Sequence, residues 1–166
     1  LDKGEQLLLR NYLIVCLLLP MSQRPCAVAN LQVQEIASMW KNRTLLVDKH
    51  KNAHTAGPAP LPTLEDNVRR GLDIYVQRYR RASEDVSEVF VSFTKGNALD
   101  ASTISAAFAR WFDECAVLDY HVTANSLRHD QSTRAIEDPE LADVAVDIAR
   151  GMCHSEETRR TRYLQT

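Results

Sequence analysis

The 166-residue sequence predicts a mainly α-helical α+β domain carrying one small antiparallel β-sheet. Three observations predict it. Apolar residues recur at helical spacing through most long segments. β-branched and apolar residues gather into short runs, one of them followed by a Pro-containing stretch that can return as a second strand. The order of segments is helix, helix, small sheet, then several helices. Hydrophobic residues make up 45% and charged residues 25%, the balance of a soluble globular protein with enough apolar mass for one core.

Each element follows from local pattern. Residues Glu5 to Leu19 are Leu-rich and closed by Pro20, which cannot continue a helix. Met21 to Pro25 is a turn, and Pro25 suits the first position of a second helix reaching about Leu31. Thr44-Leu45-Leu46-Val47 reads as a strand. Asn52 to Pro62 holds one Gly and three Pro, a loop with an edge strand near Ala59-Pro60-Leu61. Thr63, Glu65 and Asp66 open a helix in which Leu64, Val68, Leu72, Tyr75, Val76 and Tyr79 share a side. Val89 to Phe93 reads as a short buried strand. Ser102 or Thr103 is expected to cap a helix through about Cys115, with Ile104, Phe108, Trp111 and Phe112 inward. Thr123 caps another from Ala124 to about Ile136, and Asp138-Pro139-Glu140 starts a last one, Leu141 to Met152.

Composition removes several classes. The longest apolar run, Tyr12 to Leu19, is far short of the about 20 residues a membrane span needs. No small-residue cleavage site follows it, so it is not a signal peptide. Cys16, Cys26, Cys115 and Cys153 are scattered without a C-x-x-C pair, which speaks against a zinc ribbon or disulfide framework and suits a reducing compartment. The formal net charge of −2 counts against a nucleic-acid partner, although Arg69-Arg70, Arg78 with Arg80-Arg81, and Arg159-Arg160 with Arg162 are local basic clusters. The chain begins with Leu rather than Met and reads as one domain, residues 1–166, excised from something longer.

Four stretches carry candidate chemistry. Ser22-Gln23-Arg24 puts an arginine on the turn between two apolar helices. Lys49-His50-Lys51 closes a strand. Ala124-Asn125-Ser126-Leu127-Arg128-His129 opens a helix with Asn125 and Arg128 one turn apart on one face. His154-Ser155 and Thr158 follow a helix, and Tyr163 comes nine residues after His154. Taken singly, these are ordinary capping, packing or surface residues.

Taken together, they resemble the catalytic domain of the tyrosine recombinases, the phage-integrase family, over nearly the whole chain. The family's first motif, a turn ending in Arg followed by an apolar residue, an acid and Ile, is similar to Arg24 with Leu31, Glu35 and Ile36. Its hairpin lysine matches Lys51, with Lys49 as a second candidate. Its HxxR motif matches Asn125-Ser126-Leu127-Arg128. Its last motif matches His154-Ser155, Thr158 and Tyr163. The string from Lys49 to Ala59 resembles the eukaryotic crypton and DIRS-like branch.

The resemblance implies a DNA-breaking and rejoining fold, with Arg24, Lys51, Asn125, Arg128, His154 and Tyr163 as catalytic set and Arg24, Lys49, Lys51, Arg128 and His154 against DNA. Elementary chemistry explains the grouping. A phosphodiester repels nucleophiles until its non-bridging oxygens are neutralised, and two guanidiniums do this through forked, charge-assisted bonds. They act most strongly as charge builds on the pentavalent phosphorus. His154 adds a donor, Tyr163 attacks phosphorus to leave a 3′-phosphotyrosyl link, and Lys51 protonates the departing 5′-oxygen. The covalent link keeps the bond energy, so no ATP, metal or other cofactor is called for. The expected partners are double-stranded DNA and further copies of the chain, with no membrane. The expected location is intracellular: nuclear in a eukaryote, cytoplasmic otherwise.

The sequence departs from the family pattern in four ways. Asn125 stands where His or Lys is usual; its amide can bond a phosphate oxygen but cannot carry charge. His121 and His129 lie nearby as substitutes, His129 pointing off the shared face. Ala27 replaces an acid often found three residues after the first Arg. The DNA-clamping domain that usually precedes, and the tail that usually follows Tyr163, are absent from the 166 residues. These departures keep two rival readings in view: a recombinase-derived, catalytically inactive DNA-binding or protein-interaction module, and an unrelated helical interaction domain.

Overall fold

The computed structural model describes residues 1–19, 24–42, 45–47, 59–61, 64–115 and 121–137. The expected helix from Leu141 to Met152 lies outside the described residues, as do Lys49, Lys51, His154 and Tyr163. The described elements are α1 (Lys3–Leu18), α2 (Pro25–Ala29), α3 (Val33–Asn42), β1 (Leu45–Val47), β2 (Ala59–Leu61), α4 (Asp66–Ile74), α5 (Ala101–Cys115) and α6 (Ala124–Glu137).

Helix α1 is the centre of the packing. It starts two residues earlier than its apolar pattern suggests because Asp2 and Glu5 form a capping box: Glu5 N–H donates to Asp2 Oδ1 at 2.8 Å and Asp2 N–H to Glu5 Oε2 at 2.7 Å. Leu13, Ile14 and Leu17 are wholly buried, each contributing about 1.5–3 kcal/mol of apolar transfer. The helix packs against α2, α4 and α5. Its approach to α4 is close at Gly71, where an added Cβ would stand 3.0 Å from Leu13 Cδ2.

Arg10, also on α1, is a buried cation. Its guanidinium donates to the Val91 carbonyl at 3.1 Å and to Asn11 Oδ1 at 3.2 Å, and lies 5.1 Å from the centroid of the Phe93 ring. Desolvation lowers its pKa from the ordinary arginine value. These contacts tie α1 to the chain between 89 and 99 and offset the cost of burying the charge.

Pro25 takes the first position of α2 as expected, but that helix ends at Ala29. The chain then turns into α3, a helix the sequence reading did not assign. Gln32 N–H donates to Glu35 Oε2 at 2.5 Å, the carboxylate closing the first turn of α3. β1 and β2 form the expected antiparallel pair, with Leu45 opposite Leu61, Leu46 opposite Pro60 and Val47 opposite Ala59. Pro60 lacks an N–H and suits an edge strand, and among the described residues each strand of the pair has one open edge.

α4 starts after Glu65 and widens into a π-helical turn over Tyr75–Tyr79, closed by Arg80 N–H on the Tyr75 carbonyl at 2.8 Å. Leu72 and Tyr75 are fully buried. The expected strand from Val89 to Phe93 needs correcting. Val89, Phe90 and Val91 are fully buried, yet among the described residues this stretch makes only isolated bridges, Glu88 with Gln32 and Val91 with Ala98. The chain reverses too soon for a ladder. Gly96 sits at φ 70° in the left-handed region, and a Cβ there would meet Ser83 Oγ at 2.9 Å.

A second correction concerns the start of α5. Asp100, not Ser102 or Thr103, is the cap: Thr103 N–H and Ser102 Oγ both donate to Asp100 Oδ1 at 2.7 Å. Ile104 and Phe108 are wholly buried, and Trp111 and Phe112 pack partly buried against them, as the spacing requires.

Candidate active site

Arg24 occupies the position just before α2. Its backbone is extended, φ −71° and ψ 142°, a conformation that the following Pro25 enforces. Its carbonyl accepts Ala27 N–H at 2.8 Å, so the backbone caps the helix while the side chain makes no capping bond. The residue is half-buried, and its guanidinium has no hydrogen-bond or ion-pair partner among the described residues. Ala27, where an acid was the family expectation, is 1% exposed and packs α2 into the core. Glu35 is buried as well and is used on Gln32 N–H.

Arg128 lies on α6, whose start is set by reciprocal bonds. Ser126 N–H donates to Thr123 Oγ1 at 3.0 Å and Thr123 N–H to Ser126 Oγ at 2.9 Å. Val122 and Ala124 are buried, and Arg128, at 5% exposure, continues that inward face one turn on. Arg128 is held by polar or electrostatic contacts within the chain.

Gln131, a further turn along the same face, donates through Nε2 to the Leu19 carbonyl at 3.0 Å. Leu19 caps the C-terminal end of α1, five residues before Arg24. The bond docks the helix of Arg128 onto the end of α1, across 112 residues of sequence. Sequence reasoning missed Gln131. Its only signal was a polar residue three positions after Arg128, on what becomes a buried stripe.

The remaining candidates are placed differently. Asn125 is exposed although it lies one turn from the buried Arg128. His121 is exposed and its Nδ1 lies 3.0 Å from Asp113 Oδ1, joining the end of α5 to the start of α6. His129 is exposed, with Thr133 Oγ1 at 3.5 Å from its Nδ1. Among the described residues no group of His, Cys, Asp or Glu is arranged to hold a metal, and no helix is long and apolar enough to cross a membrane. Cys16 and Cys26 are half-buried free thiols; burial pushes the Cys16 thiol up.

The model of the phage integrase family matches residues 2–162. The chain belongs to the phage integrase family. The match takes in Arg24, Lys49, Lys51, Asn125, Arg128 and His154 and stops one residue before Tyr163. No curated protein matches this integrase-family chain. Among solved structures it is similar to XerA recombinase, with 18% identity and a TM-score of 0.65, covering 100% of this chain and 58% of that one. It is also similar to lambda integrase in a dimer bound to a COC' core site, with 17% identity and a TM-score of 0.58, covering 98% of this chain and 47% of that one. A second such dimer, of lambda integrase residues 75–356, gives 15% identity and a TM-score of 0.57, covering 93% and 51%. The integrase-family chain therefore has the tyrosine recombinase catalytic-domain fold and spans about half the length of the solved relatives it matches.

Proposed function

We propose that this domain cleaves and rejoins DNA through a 3′-phosphotyrosyl intermediate on Tyr163, acting as a site-specific recombinase or integrase. One observation carries the reading. Arg24 is a half-buried residue whose side chain has no hydrogen-bond or ion-pair partner among the described residues, and it lies five residues after Leu19, whose carbonyl the helix of Arg128 bonds through Gln131. A guanidinium with no internal partner among the described residues is available to bond an anion, and in this family's chemistry the anion is a phosphodiester. DNA in the lambda integrase structures agrees with that substrate, and their dimers agree with action by more than one copy.

In this scheme Arg24 and Arg128 bond the non-bridging oxygens as charge accumulates on phosphorus. His154 supplies a further donor and Asn125 an amide hydrogen bond. Tyr163 Oη, having given its proton to water, forms the new bond to phosphorus as the bond to the 5′-oxygen breaks. Lys51, or Lys49 in its place, gives that oxygen its proton. Rejoining is the reverse, with the 5′-hydroxyl as nucleophile, so the reaction consumes no cofactor.

A second reading is favoured by Asn125, which is exposed and cannot hold charge: a module that keeps the fold and binds DNA without cutting it. The experiment is covalent trapping on nicked suicide duplexes with a randomised core, scored after denaturation. Wild-type chain should be captured, and Tyr163→Phe should lose capture while retaining noncovalent binding. Adduct that persists in Tyr163→Phe would sink the nucleophile assignment. Binding without any wild-type adduct would establish the inactive module instead.

A further inference from the structure

We propose that the cleft between α3 and α4 takes a single nucleotide unit of DNA, an unpaired base lying against Trp40 with its phosphate on Arg70. The inference rests on the DNA reading above but concerns residues outside the candidate active site. The cleft is open, has a volume of about 370 Å³ and is lined by Trp40, Asp66, Arg69 and Arg70. That is near the lower end of small-ligand sites, about 300 Å³ and upward. It is too small for a duplex groove and of the right order for one base with its phosphate.

Each lining residue has a property that packing alone does not require. Trp40 is 44% exposed, although its neighbour Met39 carries α3 into the core at 1%. The Arg69 guanidinium lies 5.5 Å from the indole centroid and pairs with Asp66 one turn away. These two contacts hold the guanidinium over one face of the ring and set the indole's orientation before any ligand arrives, which leaves the ring's exposed surface for stacking and lowers its entropy cost. The charges of Arg69 and Asp66 offset one another. Arg70 is exposed and has no hydrogen-bond or ion-pair partner among the described residues, so it supplies the cleft's unmatched positive charge.

The mixed lining selects the ligand. Asp66 is 73% exposed at its side chain and can only accept hydrogen bonds. An acidic peptide would satisfy Arg70 yet bring further acceptors against Asp66. A nucleotide brings a flat ring for Trp40, ring amines that Asp66 can accept from, and an anion for Arg70. Stacking on an aromatic side chain with a nearby guanidinium is how single-stranded nucleic acid is commonly held. Unpaired bases arise whenever strands are cut and exchanged, so such a contact fits beside a strand-exchange centre.

The test uses the whole chain with Trp111→Phe, leaving Trp40 as the fluorophore, titrated with a short mixed-sequence single strand, the matching duplex and a poly-glutamate peptide. Single strand should quench Trp40 saturably. By fluorescence anisotropy on the otherwise unaltered chain, Trp40→Ala should weaken single-strand binding about 5- to 150-fold and duplex binding far less. Trp40→Phe should restore part of the loss. Arg70→Ala should lower the salt slope of single-strand binding by about 0.7. If Trp111→Phe disturbs folding, the anisotropy series on the unaltered background decides alone. DNA binding that leaves Trp40 silent and is indifferent to Trp40→Ala overturns the cleft while leaving the recombinase reading intact. Poly-glutamate matching the single strand in affinity and quenching overturns it in favour of an acidic protein partner. No binding to any DNA overturns both readings.

Discussion

The bond from Gln131 to Leu19 allows the docking of α6 on the end of α1 to be tested directly. Gln131→Met keeps the side-chain volume and removes the donor. The Leu19 carbonyl stands at the C-terminal cap of α1 and accepts the Gln131 side chain. Its residue is half-buried, so water replaces the lost bond in part. The expected cost is then about 1 kcal/mol, the net value of one such hydrogen bond. For a domain of this size that lowers Tm by about 2–4 °C. The functional effect should be larger than the stability effect. At temperatures where both proteins are folded, a looser α6 lets Arg128 shift, and under the proposed reaction that weakens its hold on a phosphate. Affinity for vanadate as a phosphate mimic should then fall by up to the worth of one charge-assisted bond, about 1.5–3 kcal/mol or roughly 10- to 100-fold. Calorimetric titration alongside thermal melting separates the two. A lowered Tm with unchanged vanadate affinity would reduce Gln131 to a packing residue. An unchanged Tm as well would refute the docking argument altogether.

Three further outcomes follow from other parts of the molecule. Phe108 is fully buried and packs tilted against Phe112 with ring centroids 4.9 Å apart, so Phe108→Ala should cost about 3–5 kcal/mol in urea unfolding. Asp100 has its pKa lowered, chiefly by the Thr103 N–H bond and then by the Ser102 hydroxyl. Its cap therefore stabilises the fold above the ordinary aspartate pKa of about 3.9 and is lost as pH falls through the depressed folded value; Asp100→Asn should flatten that part of the Tm-against-pH curve. Asn125 is exposed, so Asn125→His fits without steric cost, and it should raise the yield of covalent DNA adduct in the suicide-substrate assay. An unchanged yield would show that the position does not limit the reaction.

Much of the architecture was legible because it is written in short-range pattern. The Leu-rich run of α1, Pro25 at the head of α2, the Thr123 start of α6 and the inward face of α5 each depend on residues within a few positions of one another. The paired strands were legible too, since β1 is one β-branched and apolar run and β2 one Pro-bounded edge. The order of motif residues was likewise a property of the chain alone, and the family match bears out the resemblance it suggested.

What failed, failed where a distant partner decides. Val89 to Val91 have the composition of a strand, but Gly96 turns the chain back before a ladder can form. α3 lacked a recognisable cap because its first turn is closed by a Gln backbone and a Glu side chain, and neither type marks a helix start by itself. Asn125 and Arg128 looked equivalent on one face; the packing of α6 buried one and left the other in solvent. The sequence by itself determined the helical segments, the hairpin and the roster of residues suited to phosphate chemistry. Only the tertiary structure decided that Arg10 is spent on Val91 and Phe93, that Arg24 is left without a partner among the described residues, and that Gln131 bonds α6 to the end of α1. The reason is physical: a polar side chain's role is set by the element that docks on it, and that element arrives from as far as 112 residues away.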